Sequence, residues 1–247
     1  MNVKQYLDST YLKTASQAGL SEAENTVVVK NAIKEAIQEG FKLIMIRPEY
    51  VSLAKNMIVE ANSVLLVGTV IDFPEGKSSL ETKIKEANEA IANGADELDF
   101  VCNYEAFKNG DFDLVKKEIL IGTQIGLAND KTVKWIIEVA ALTDKEIIQL
   151  SSLIKHVVVS NFKEEDFDSV FVKSSTGFYK TENDLPNGAT VPAIIMMLEN
   201  ASPLSVKAAG GVRSFEEAAE MIRLGVKRIG TSAAKAIVNG EISPNQY

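Results

Sequence analysis

Short apolar runs rich in β-forming residues alternate with longer amphipathic runs along the whole chain, and few folds accommodate that order. The candidate strands are residues 42–46, 65–71, 97–101, 133–139, 169–172, 205–207 and 228–230, with a short run at 6–8 completing eight. Several are apolar throughout, as strands buried on both faces must be. Between them, residues 21–40, 79–94, 113–126, 143–156, 190–200 and 214–225 carry helical periodicity. Thr143-Asp-Lys-Glu146 and Ser214-Phe-Glu-Glu217 have the spacing of capping boxes, and Gly40, Gly94 and Gly225 stop helices just before the next strand. Strict βα alternation demands a parallel sheet, either open or closed. No G-x-G-x-x-G turn follows the first strand, and eight units fit into 247 residues without a break in composition. The pattern predicts one α/β domain over residues 1–247, a single (β/α)8 TIM barrel. The stretch 239–247 carries Gly, Pro and polar residues and reads as a loosely tethered tail, its final Tyr247 frayed rather than folded over the barrel mouth.

Composition narrows the function. A net charge of −8 argues against nucleic acid as a partner, because neutralising phosphates needs a basic surface. A small phosphorylated ligand needs only a local positive field and stays open. One cysteine, Cys102, excludes an internal disulfide framework, and one histidine, His156, leaves a Ser-His-Asp triad or a His-rich metal site without material. The opening MNVKQYLDSTYLK lacks the apolar core of a secretory signal, and no stretch approaches the roughly 18 uninterrupted apolar residues of a membrane span. A cytoplasmic protein with no membrane partner is expected, working as a homodimer as soluble enzymes commonly do.

Active sites of such barrels lie at the C-terminal ends of the strands, which ranks the polar residues. Lys173, in Phe171-Val-Lys-Ser-Ser-Thr-Gly177, and Lys207, in Ser205-Val-Lys-Ala-Ala-Gly-Gly211, each end an apolar strand. They are one βα unit apart and so fall on neighbouring strands. A lysine of ordinary pKa, about 10.4, is protonated at neutral pH and cannot attack a carbonyl. A second ammonium and partial burial would lower it to about 7–8, which suits a Schiff base with Lys173 or Lys207 as nucleophile and the other as activator. Asp99, inward with Glu97 and Val101 by strand alternation, supplies an acid–base group beside them. Gly210-Gly211-Val-Arg213 and Gly230-Thr-Ser232 precede helices and offer backbone N–H groups to a phosphate. His156, read as the end of a helix, Cys102, facing the outer core, and the Met196-Met197 pair are assigned structural roles. Asp8, Asp72 and Glu138 lack the spacing of a ligand set, so neither metal nor cofactor is assigned.

These segments resemble the deoxyribose-phosphate aldolase family over nearly the whole chain. The resemblance runs through Leu7-Asp-Ser-Thr10, Val70-Ile-Asp-Phe-Pro-Glu-Gly76, Glu97-Leu-Asp-Phe-Val-Cys-Asn103, Ile136-Ile-Glu138, Phe171-Val-Lys-Ser-Ser-Thr-Gly-Phe178, Val206-Lys-Ala-Ala-Gly-Gly-Val-Arg213 and Arg228-Ile-Gly-Thr-Ser232. It implies a metal-free class I aldolase cleaving 2-deoxyribose 5-phosphate to acetaldehyde and glyceraldehyde 3-phosphate. By the same resemblance Lys173 is the Schiff-base lysine, Lys207 its partner and Asp99 the proton relay. Asp8 and Thr176 then contact sugar hydroxyls, and Gly177, Gly210, Gly211, Gly230 and Ser232 contact the phosphate. The chain departs from the family pattern at Ser9, Met45, Asp72, Val139 and Ala233, and its loop 179–187 is longer than usual. A related Schiff-base aldolase for another sugar phosphate, and a barrel that binds a sugar phosphate without turnover, are the competing readings.

Overall fold

A computed structural model describes residues 2–182 and 185–242. Among them eight parallel strands close into a barrel in the order β1 to β8: β1 (Leu7–Tyr11), β2 (Leu43–Ile46), β3 (Leu66–Ile71), β4 (Glu97–Val101), β5 (Thr132–Ile136), β6 (Val170–Lys173), β7 (Ser205–Ala209) and β8 (Arg228–Thr231). The fold is a single (β/α)8 TIM barrel, as the alternation predicts. Outward residues of the strands, such as Ile44, Val67, Phe100, Trp135, Val172 and Ile229, pack under the helices in one continuous core. No helix of the described residues is long and apolar enough to cross a membrane.

The helices form where cap and stripe agree. Ser21, Thr143 and Ser214 each close a capping box with Glu24, Glu146 and Glu217, each box satisfying two otherwise orphaned N–H groups. Four helices escape the sequence reading: the short Ala15–Ala18 and Tyr104–Lys108, and Val51–Glu60 and Ala234–Asn239, of which the last two start without a side-chain cap. The sequence also places His156 at a helix end. The helix instead runs Asp144–Asn161, because Ile147, Leu150, Ser151, Ile154, Val157 and Val158 continue one buried stripe. His156 is therefore exposed inside a helix, not at the C-terminal dipole. Strand β5 stops at Ile136, short of the expected Val139, because Glu138 turns left-handed at φ +56°. Cys102 and Met197 are buried in the outer core as expected. Of the tail, 239–242 is described, with Gly240 ending the last helix; Tyr247 lies outside the described residues.

The barrel interior combines apolar clusters with buried charge. On the β1–β3 side Leu12, Leu43, Met45 and Val70 make a small apolar cluster, and Val101 and Ile136, on β4 and β5, belong to another. Other inward positions carry charge. Lys134 on β5 donates to Glu97 and, at 2.8 Å, to Asp99, both on β4. Arg228 on β8 spans Glu97, at 2.8 Å, and Asp8 on β1, at 2.8 Å from its Nε. Buried ions of this kind are tolerable only as a mutually satisfied set. Replacing Glu97 with Ala leaves two buried cations short of a partner, and the expected cost is about 3–5 kcal/mol. A lowered urea midpoint at unchanged m-value is the measurement that checks it.

Candidate active site

Lys173 and Lys207 are directly opposite each other in the β6–β7 register, so both side chains enter the barrel at one height. Between them stands Asp99, whose Oδ2 accepts from Lys173 Nζ at 3.0 Å and from Lys207 Nζ at 2.8 Å. Its other oxygen takes Lys134. Lys207 lies deeper, 2.7 Å from Asp8 as well. A Cβ on Gly230 would come within 3.1 Å of the Lys207 Cε, so a glycine on β8 makes room for the lysine on β7.

Charge counting singles out one of the lysines. Asp8, Glu97 and Asp99 face Lys134, Lys173, Lys207 and Arg228, so among the described residues the cluster holds one cation too many. Lys207 bridges two carboxylates, while Lys173 has Asp99 alone. Burial pushes the Lys173 amine down to about 8; Asp99 opposes the shift, and the neighbouring Lys207 and Lys134 reinforce it. With Lys173 neutral the cluster balances. Lys134 goes the other way: burial would lower it, but Asp99 and Glu97 hold it above the ordinary lysine value. Burial would raise Asp99, yet Lys134, Lys173 and Lys207 keep its carboxyl well below the usual range. Asp8 is lowered too, Arg228 and Lys207 outweighing its burial.

The strand-end loops build two cavities, each of about 340 Å³. One is lined by Asn187 and Gly188 after β6, Gly210, Gly211 and Arg213 after β7, and Gly230 and Ser232 at the end of β8. Gly210 and Gly211 both have positive φ, 81° and 87°, which aims successive peptide groups in ways an L-residue resists. The second is lined by Glu75, Tyr104, Glu138, Thr176, Tyr179 and Lys180.

The structure thus gathers Lys173, Lys207 and Asp99 into one ion cluster and Gly210, Gly211, Gly230 and Ser232 around one cavity. Gly177 sits in the turn after Lys173, its N–H donating to Ser175 Oγ at 2.8 Å. Asp8 is wholly buried beneath Lys207, and Thr176 donates through its hydroxyl to Glu138 in the second cavity. Three members of the cluster were not singled out from the sequence: Lys134, Glu97 and Arg228. Alternation places Glu97 inward with Asp99, and the same rule applied to Val133-Lys-Trp-Ile136 would have found Lys134. Among the described residues no group of three or more His, Cys, Asp or Glu side chains is placed to hold a metal ion.

A buried amine beside two further ammonium groups at the mouth of a closed parallel barrel is the equipment of an enzyme that attacks carbonyls. Comparison with known proteins agrees. The profile of the DeoC/LacD family aldolases matches residues 8–242, and the chain belongs to that family. It is 39% identical over 248 residues to the deoxyribose-phosphate aldolase of Staphylococcus saprophyticus, covering both chains in full. It is 38% identical over 241 residues to that of Thermococcus gammatolerans, covering 97% of this chain and 96% of the relative. The solved deoxyribose phosphate aldolase of Aeropyrum pernix, described as a tetramer, superposes with a TM-score of 0.75 at 26% identity, covering 96% of this chain and 89% of that one.

The Lys173 value sets a pH dependence. Only a free amine attacks a carbonyl, so an imine on Lys173 is expected to form about tenfold faster per pH unit on the acid side and to level above about 8. Initial rates of borohydride trapping with acetaldehyde, taken across pH 6 to 10, check it; a midpoint near 10.4, the ordinary lysine value, contradicts the burial argument.

Proposed function

We propose that the protein is a class I aldolase that reversibly cleaves 2-deoxyribose 5-phosphate to acetaldehyde and glyceraldehyde 3-phosphate through an imine on Lys173. The observation that carries this reading is the surplus cation around Asp99, which makes Lys173 the one lysine of three whose neutral form the cluster prefers. Its amine attacks C1 of the open-chain sugar, and loss of water from the carbinolamine leaves an iminium ion. That ion restores the positive charge beside Asp99 and draws in the electron pair of the C2–C3 bond as the C3 hydroxyl loses its proton. Glyceraldehyde 3-phosphate departs, the enamine takes a proton at C2, and hydrolysis returns acetaldehyde and the free amine. Lys207, 2.8 Å from the same Asp99 oxygen as Lys173, carries protons for these steps, and Asp99 orients both amines. The glycine-lined cavity after β7 and β8 takes the phosphate on its backbone N–H groups, Gly210, Gly211, Gly230 and Ser232 forming its wall. Thr176 serves the sugar hydroxyls, and Gly177 gives the turn its close approach. Asp8 acts on the sugar end through Lys207.

The chain is also proposed to act as a homo-oligomer in the cytoplasm. Light scattering distinguishes the dimer expected from sequence from a tetramer like that described for the Aeropyrum pernix enzyme.

Borohydride added with 2-deoxyribose 5-phosphate is expected to leave a mass adduct that peptide mapping assigns to Lys173. Lys173→Ala should form no adduct and lose at least about 10³-fold in turnover, since it removes the covalent route. An adduct on Lys207 would reverse the assignment of the two lysines. Binding of the sugar phosphate with no trappable imine would favour the binding-only barrel.

A further inference from the structure

Glu138 is a buried acid that the reaction above does not use. It sits just beyond β5 at φ +56°, a left-handed conformation that a non-glycine residue keeps only where its surroundings over-determine it. The flanking peptides hold it against the end of β6: Ile137 N–H donates to the Lys173 carbonyl at 3.0 Å and Val139 N–H to the Ser174 carbonyl at 2.8 Å. Its carboxyl group then reaches the turn that follows Lys173. Oε2 accepts from the Thr176 N–H at 3.2 Å and from the Thr176 hydroxyl, and Oε1 lies 2.8 Å from Ser175 Oγ.

Ser175 extends the chain of contacts. Its hydroxyl oxygen accepts from Gly177 N–H at 2.8 Å and lies 2.6 Å from the Asn187 carbonyl. Asn187 and Gly188 form part of the glycine-lined cavity, and Ala189 N–H donates to the Gly210 carbonyl at 2.8 Å on its other wall. A hydroxyl carries one proton. With Glu138 ionised, Ser175 faces two acceptor oxygens, Glu138 Oε1 and the Asn187 carbonyl, and can satisfy only one. With a proton on Glu138 Oε1 every partner is served: Glu138 donates to Ser175, and Ser175 donates to Asn187.

We propose that Glu138 is a positioning residue that works as a neutral carboxylic acid, joining the turn after Lys173 to the Asn187 wall of the phosphate cavity through Ser175. This rests on the reading of that cavity as the phosphate site. The titratable and charged groups around Glu138 are Lys173 from β6, Tyr104 from the short helix Tyr104–Lys108 after β4, and Glu75, Tyr179 and Lys180 across the second cavity. Burial pushes its carboxyl above the ordinary value, against the hydrogen bonds of Thr176 and Ser175 and the charge of Lys173. The consequence is a grip that couples phosphate binding to the placement of the imine-forming lysine.

Two readouts test it on the full chain. The first is an infrared difference spectrum of wild type minus Glu138→Gln, expected to contain the carbonyl stretch of a protonated carboxyl group at neutral pH. Carboxylate bands alone would overturn the proposal. The second is the ratio of kcat/KM for 2-deoxyribose 5-phosphate over 2-deoxyribose. Glu138→Gln, which keeps an acceptor toward Thr176 and a donor toward Ser175, should hold that ratio within about threefold, while Ser175→Ala should lower it about tenfold, mainly through KM. A Glu138→Gln variant that fails to fold or loses as much as Ser175→Ala would sink the idea, as would a Ser175→Ala ratio equal to wild type. A wild type without preference for the phosphorylated sugar overturns the cavity assignment instead, and the infrared result then still decides the protonation state.

Discussion

The interior of this barrel depends on one carboxylate. Asp99 accepts from three lysines on three strands, β5, β6 and β7, and is wholly buried. Ions at such a site are stable only if their signs nearly cancel, and three acids against four bases leave one proton to give up. The group that yields it is the one with the fewest carboxylate partners, closest to the mouth. The lowered proton affinity of Lys173 is thus a property of the whole cluster rather than of the lysine by itself.

The scaffold divides its duties around that cluster. Leu43, Met45 and Val70 fill part of the barrel with apolar bulk, while the outward strand residues anchor the helices. Loops after β7 and β8 bring glycines together around one cavity. The turn after β6 carries Lys173 at its start and Thr176 and Gly177 at its crest, so the proposed chemistry and the proposed binding share one short segment. A displacement of that segment would disturb both, which is why its hydrogen bonds to Glu138 and Asn187 are dense.

Much of this was legible in the amino-acid order. Eight strands, the capping boxes at Thr143 and Ser214, and the lysines at 173 and 207 follow from periodicity, cap chemistry and position. The helices Val51–Glu60 and Ala234–Asn239 were not legible from their ends, because neither opens on a side-chain cap. The helix through His156 ran longer than expected because Val157 and Val158, β-branched residues that suggest a break, continue its buried stripe. Alternation placed Glu97 inward with Asp99 but gave it no partner, and Lys134 and Arg228 look like ordinary surface charges in sequence, because a charged residue beside or within an apolar run does not announce what it meets.

What the sequence determined is the architecture and the height of each chemical group: alternation sets which residues face inward, and strand-end position sets which of them reach the mouth. What only the tertiary structure decided is which charge meets which. Asp8 and Arg228 lie at opposite ends of the chain yet share hydrogen bonds, because closure of the sheet makes β1 and β8 neighbours. The proton affinities of Lys173 and Lys134 shift in opposite directions although both are buried lysines beside the same aspartate. They differ because Coulomb forces act over a few ångströms, and those distances exist only once the barrel is shut.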